Sequence, residues 1–289
     1  MVVNQHSGAS VPGLGASADR IRDLLPLAEI VEPGPHDDLT ATLDQAATQA
    51  AGQGAALGVC GGDGTANAAA SSARRAGVAL AVFPGGTHNH FAKDLGNRTF
   101  DDTARAFENG QATPIDLAHA GHEVTFLNTA SLGAYPELVR VRERWEKKIG
   151  KPAASVLALL RVLPNAQPLT VTVNGTPQRL WLLFAGNGTY VPEGITPHHR
   201  PHLDDNLIDL RLVTADKPLA RTRLLLSTLL AAPRRSHVYR GLRAAQFDLS
   251  GVEDGTGMAY DGEQTKAPTR LRLSKTASAV LAYAPAERE

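Results

Sequence analysis

Ala55-Ala56-Leu57-Gly58-Val59-Cys60-Gly61-Gly62-Asp63-Gly64-Thr65-Ala66-Asn67 is the stretch whose reading decides the fold. The apolar run Ala55–Val59 predicts a short buried strand, and Thr65–Ala76 predicts a helix. The glycines between them make a tight turn at the helix N-terminus. Such a turn presents backbone N–H groups and the positive end of the helix dipole, a setting suited to phosphate. Glycine also lets the backbone approach a ligand with no Cβ in the way. Asp63 is the unexpected member, because a carboxylate beside phosphates repels them unless a metal or a proton intervenes. A plain glycine turn capped by Asp63 is the blander reading. No Gly-Lys-Ser/Thr follows, and the Gly-x-Gly-x-x-Gly spacing of a dinucleotide turn is absent.

The pattern repeats one strand later. Val78–Phe83 predicts a strand, Pro84-Gly85-Gly86-Thr87-His88-Asn89 a second glycine turn, and His90–Leu95 a helix. Two such turns at the same end of neighbouring parallel strands face one crevice, where open α/β sheets bind ligands. Thr87 and Asn89 are candidate phosphate donors. Further out, Val2–Val3 predicts a strand, and Ala18–Leu27 and Leu39–Ala51 predict helices. This alternation argues for a parallel sheet covered by helices.

The pattern changes near residue 120. Val124–Asn128 predicts a strand, and Pro136–Ile149 and Ala153–Leu163 predict helices. Strands follow at Leu169–Val173, Arg179–Ala185, Leu207–Val213, Gln246–Leu249, Gly257–Tyr260, Leu271–Leu273 and Ala279–Tyr283, with one helix at Leu219–Leu230. Asn174-Gly175 is a hairpin signal. The second half therefore predicts an antiparallel β-sandwich-like domain. Tyr260-Asp261-Gly262-Glu263 reads first as another hairpin turn. Its two carboxylates carry chemistry only where the chain brings them to the phosphates.

The composition narrows the function. The chain has 289 residues, enough for about two domains. Its 29 Lys+Arg balance 29 Asp+Glu, so no global charge draws it to nucleic acid. The single Cys60 excludes an intrachain disulfide and reads as a small buried filler. No signal peptide and no apolar stretch of membrane-span length is seen, which predicts a cytoplasmic protein. Arg140, Arg142, Arg144, Lys147, Lys148, Lys151 and Arg161 form one basic patch, and Arg221, Arg223, Arg234, Arg235, Arg240 and Arg243 another. Both suit an anionic membrane surface, and both equally suit a solvated helix face. His198, His199 and His202 lack the partner spacing of a transition-metal site and read as a solvated loop.

Taken together, Gly61 to Asn67, Pro84 to Gly96 and Asp261-Gly262-Glu263 occur in the order and spacing of the bacterial diacylglycerol kinase catalytic family. The chain resembles that family along its whole length, and more distantly the sphingosine kinases and NAD kinases. Val3-Asn4-Gln5-His6-Ser7-Gly8 resembles the family's first strand and Asn-Pro-x-Ser-Gly turn, with Gln5 in place of Pro. Asn128 to Gly133 and Phe184 to Gly188 also resemble family segments.

The resemblance implies an α/β nucleotide-binding domain over 1–120 like that of NAD kinase, and a β-rich lipid-substrate domain over 121–275. The strand near 276–289 would return to the first, and the active site would lie in the cleft between the two. It implies an ATP- and Mg²⁺-dependent lipid kinase acting on diacylglycerol or a related lipid alcohol. Asn4, Ser7, Gly61, Gly62, Gly64, Thr65, Gly86, Thr87 and Asn89 would hold the nucleotide. Asp63, Asp261 and Glu263 would be catalytic, the latter two supplying a general base and a Mg²⁺ contact.

A structural Mg²⁺ would sit on the Asp205 carboxylate and the His202 and Leu207 carbonyls, with Asn206 in place of the usual Gly. The implied partners are a lipid at the membrane surface, with peripheral attachment, and a functional link to a membrane lipid phosphatase; a homodimer stays open. His90 stands where many family members carry Asp, which bears on the substrate. The rival readings are a kinase of a soluble alcohol or nucleotide, and a nucleotide- or lipid-binding module without catalysis.

Overall fold

The computed structural model describes residues 1–5, 16–192, 199–216, 222–224 and 238–286. Ser7, His198, most of the expected helix Leu219–Leu230, and Arg221, Arg234 and Arg235 lie outside them. The chain divides into two compact units. One comprises Met1–Leu117, Leu203–Asp205 and Thr276–Glu289, the other Ala118–His202 and Asn206–Lys275.

In the first unit, β1 (Val2–Val3), β2 (Leu57–Gly61) and β3 (Leu80–Pro84) run parallel in that order. All five residues of β2 are buried, as expected for a strand covered on both faces. Five helices surround them: α1 (Ala16–Leu24), α2 (Leu39–Gln53), α3 (Asp63–Ala76), α4 (His90–Leu95) and α5 (Phe100–Glu108). Gly54, Gly77 and Gly96 end α2, α3 and α4 in the left-handed region, where glycine carries no steric penalty. Val3, Ala18, Ile21, Cys60, Ala81, Phe83 and Ala104 form one core cluster of this sheet with α1 and α5. The expected helix Ala18–Leu27 stops at Leu24, leaving Leu27 fully exposed. Helix α5 was not legible as a separate element, yet Thr99 and Asp102 form a reciprocal capping box at its start.

In the second unit, β6 (Thr129–Gly133), β7 (Leu169–Val173), β8 (Thr176–Asn187) and β9 (Ile208–Thr214) are antiparallel neighbours, with β8 as the hub. Asn174 and Gly175 both have positive φ, the signature of the tight hairpin their sequence predicts between β7 and β8. Leu180, Leu183 and Ala185 face one buried cluster that also holds Phe126, Leu210, Phe247 and Leu273. A register shift between Leu180 and Leu182 turns Trp181, Leu182 and Phe184 to the other face. There α6 (Tyr135–Ile149) and α7 (Lys151–Val162) cover them through Tyr135, Leu138, Leu159 and Val162.

Besides α5 and β6, four features were missed by sequence. Strand β4 (Ala112–Ala120) continues into the second unit, where its end pairs with β5 (Val124–Phe126). Strand β10 (Tyr239–Ala244) pairs with β9. Strand β13 (Glu263–Lys266) pairs with β12 (Gly257–Tyr260) and has no buried residue to announce it. The two short strands expected at Leu271–Leu273 and Ala279–Tyr283 are one, β14 (Arg270–Tyr283). Its first half pairs with β11 (Gln246–Ser250), and Ala282 pairs in parallel with Leu80 of β3.

Candidate active-site residues

The two glycine turns follow the ends of β2 and β3 and touch each other. A Cβ on Gly86 would stand 2.4 Å from the Cα of Gly62, and a Cβ on Gly85 would stand 2.7 Å from the amide nitrogen of Gly61. No side chain fits at either position. The Gly85 amide donates to the Gly61 carbonyl at 3.1 Å, which ties the turns together. A Cβ on Gly61 would meet Thr65 at 2.7 Å, so glycine there lets Thr65 fold over the strand end. Asn4 donates from Nδ2 to the Thr65 hydroxyl at 3.0 Å, which joins the end of β1 to the first turn of α3.

Asp63 opens α3, and its two oxygens accept from the amides of His90 (3.1 Å) and Phe91 (2.9 Å). It therefore serves as the N-terminal cap of α4 from a neighbouring turn. Asn89, at φ 52, closes the second turn on itself. Its Oδ1 accepts from the Gly86 amide and its Nδ2 donates to the Gly86 carbonyl, each at 2.7 Å. Asn89 thus shapes the cradle, whereas Thr87 is exposed. The His90 ring stacks on His88, with centroids 5.5 Å apart. Packing holds the His90 imidazole below its ordinary pKa while the Asp63 carboxylate pulls the other way. Because the ring remains open to solvent, the packing effect is a modest one.

Asp261 and Gly262 have φ of 43° and 93° and form the turn between β12 and β13. The hairpin reading of Asp-Gly is therefore correct, and the carboxylate still has a task. Asp261 is 9% exposed. Its Oδ2 accepts from the Leu127 amide (2.6 Å), and its Oδ1 from the amides of Asn128 and Thr129 (both 2.9 Å). Glu263, two residues on, is exposed. The segments Asn128–Gly133 and Phe184–Gly188, singled out by resemblance, lie side by side: Thr129 pairs with Gly186 and Ala130 with Ala185.

The turn expected to hold a structural Mg²⁺ is present, and Asn206 takes the positive φ of 53° that a Gly would take. The Leu207 carbonyl, however, accepts from the Gly188 amide (2.9 Å) and from the Lys275 ammonium (3.1 Å). A cation already occupies that side of the carbonyl, so this donor set does not fit a divalent metal. Among the described residues no group of three or more His, Cys, Asp or Glu is placed to hold a metal ion.

Sequence reasoning also passed over buried polar residues that fasten the backbone within each unit. Asn97 donates to the Tyr283 carbonyl, and Asp116 accepts from the Ser278 amide, both within the first unit. Arg200 was hidden among the histidines and prolines of its loop. It is 2% exposed and binds the backbone beside Asp261.

A parallel α/β unit with paired glycine turns, continuing into an antiparallel β unit, defines the class: a two-unit protein with the fold of the diacylglycerol kinases and NAD kinases. A crystal structure of a diacylglycerol kinase from Bacillus anthracis is similar at a TM-score of 0.68 and 17% identity, covering 99% of this chain and 96% of that one. Two further structures from that bacterium reach 0.70 and 0.71 at 19% identity, each covering 96% of its own chain and 99% and 98% of this one. Residues 1–120 match the model of the diacylglycerol kinase catalytic domain.

Two curated relatives are both named "Probable lipid kinase YegS-like". The one from Pseudomonas putida is 31% identical over 162 residues, 54% of each chain. The one from Pseudomonas aeruginosa is 29% identical over 234 residues, 78% of this chain and 75% of its own. The match to the first thus spans about half of that relative's length.

Proposed function

We propose that the chain is an ATP- and Mg²⁺-dependent lipid kinase that moves the γ-phosphate to a hydroxyl of diacylglycerol or a related lipid alcohol. The observation that carries this reading is the contact between the two glycine turns, where a single Cβ would close the space. Backbone amides at the start of α3 suit phosphate oxygens, and Asn4 with Thr65 fixes the rim. Mg²⁺ bound with the nucleotide would neutralise phosphate charge, which is most of what phosphoryl transfer requires beyond positioning.

In this reading the carboxylates divide their labour. Asp63 orients the second turn through α4. Asp261 fastens the acidic hairpin with both oxygens engaged. Glu263, exposed on the same hairpin, takes the proton of the lipid hydroxyl, a step that contributes typically ~10²–10⁴-fold in rate. The same reading has the chain meet the membrane peripherally; no helix among the described residues is long and apolar enough to cross a bilayer. The lipid substrate, a dimeric state and cooperation with a lipid phosphatase belong to the same proposal.

The decisive experiment is transfer from labelled ATP to a panel of extracted lipids presented in vesicles. Label entering a lipid alcohol, more so in vesicles than in dispersion, supports the proposal. Equal turnover of soluble nucleosides defeats the lipid assignment.

A further inference from the structure

We propose that Arg200 is a positioning residue for the acidic hairpin, holding the backbone to which Asp261 is fastened. This rests on the kinase reading above and adds a residue to it. Arg200 lies among carbonyl groups of the second unit. Its Nη1 donates to the Leu127 carbonyl (2.6 Å) and the Asn187 carbonyl (2.8 Å), and its Nη2 to Oδ1 of Asn128 (2.9 Å). The guanidinium also lies over the Tyr190 ring, 5.2 Å from its centroid. Tyr190 in turn donates its hydroxyl to the Asn128 carbonyl at 3.1 Å.

The geometry is specific at the level of one peptide group. The carbonyl of Leu127 and the amide of Asn128 belong to the same peptide unit. Its oxygen accepts from the Arg200 guanidinium, and its nitrogen donates to the Asp261 carboxylate. A positive and a negative group thus grip opposite ends of one peptide dipole. Each polarises the bond the other makes, which strengthens both in a buried setting. The neighbouring unit follows the same pattern with weaker partners: the Asn128 oxygen accepts from Tyr190, and the Thr129 nitrogen donates to Asp261. The Thr129 carbonyl then accepts from the Asp261 amide at 3.1 Å, completing the attachment.

Burying a guanidinium carries a large desolvation cost. A neutral donor would satisfy these carbonyls more cheaply, and it would not grip the dipole. With Arg200 in place, residues 127–129 present three amides in a fixed fan, and Asp261 has one place to dock. Glu263, two residues further along the hairpin, inherits that placement. Arg200 itself touches no reacting atom in this scheme.

The test compares Arg200→Met, which keeps bulk without charge, with Arg200→Lys, which keeps charge without the planar fork. For Arg200→Met, kcat is expected to fall about 10- to 100-fold, the scale of a small misplacement of a reacting group, while KM for ATP changes little. Arg200→Lys should fall between wild type and Arg200→Met. Amide hydrogen exchange at Leu127, Asn128 and Thr129 supplies a readout independent of activity: protection in wild type, and faster exchange at these amides than across β7–β9 in both variants.

Wild-type kcat in a folded Arg200→Met, or unchanged exchange at the three amides in Arg200→Lys, overturns the proposal. If Arg200→Met does not fold, the Arg200→Lys exchange and kcat decide alone. A wild-type chain inactive on every lipid would sink the kinase reading, and the exchange data would still judge the clamp.

Discussion

Asp63 and Asp261 each give both carboxylate oxygens to backbone amides, one in each unit, and they do so in contrasting surroundings. Asp63 lies partly exposed and accepts from two amides at the start of the six-residue helix α4. Any carboxylate or water can serve a helix N-terminus, and loss of such a cap costs about 1 kcal/mol. Asp261 is buried and accepts from three consecutive amides of a chain segment that has no helix to organise it. Two of those three bonds are buried. The same side chain is thus an adjustable cap in one unit and a structural pin in the other.

Replacing the pin should have the largest effect. Asp261→Ala leaves three donors, two of them buried, without their acceptor, at roughly 1–3 kcal/mol for each buried unsatisfied group. Urea denaturation should show a loss of about 3 kcal/mol or more, together with loss of phosphoryl transfer. Asp63→Ala should abolish transfer as well, while the same denaturation experiment reads only about 1 kcal/mol. Equal stability losses in the two variants would erase the distinction.

The next effect sharpens the α/β side of the comparison. Gly86→Ala forces a methyl against the backbone of Gly62, and overpacking of this kind costs typically ~1–3 kcal/mol. Because the clash separates the two turns, nucleotide affinity measured by titration calorimetry should fall at least about tenfold, the equivalent of 1.4 kcal/mol. Unchanged affinity would remove the cradle from the site.

How much of this was legible follows from where each signal lives. Glycine turns are local: a strand, two glycines and a helix are contiguous in sequence, so both cradles and their relation could be read from 55–67 and 78–95. The hairpin at Asp261-Gly262 was legible for the same reason. Its docking was not, because the three amides that receive it are 132 to 134 residues away and amides carry no sequence label. Arg200 was hidden for the related reason that its partners are carbonyls. Strand β13 escaped because Glu263-Gln264-Thr265-Lys266 buries nothing and offers no alternation. The resemblance supplied a structural metal, and a single lysine 68 residues downstream redirected that carbonyl.

That lysine gives a smaller effect. Without nucleotide, Tm should be the same in Mg²⁺ and in chelator. Lys275→Met should lower Tm by about 2–4 °C per kcal/mol lost, whichever is present. A chelator-sensitive Tm in the wild type would restore the metal.

The smallest effect concerns Cys60, 1% exposed beneath the first glycine turn. Burial pushes its thiol up to about 12. The unfolded thiol ionises nearer 9, so its contribution to stability is level below that pH and declines above it, as the unfolded chain releases a proton that the folded chain keeps. At pH 8 the native protein should resist alkylation, and reaction should appear only on adding denaturant.

Strand β14 fixes the order in which the molecule can be finished. Ala282 supplies a strand pair to β3, the Tyr283 carbonyl receives Asn97, and the Ala284 amide reaches the Gln111 carbonyl. Most of the first unit is therefore synthesised before the second, and is sealed by residues 282–284, which come after it. A truncated product ending before Thr276 would carry both glycine cradles on a sheet with an open edge. Such a fragment is exposed to edge-to-edge association until the segment from Thr276 onward arrives.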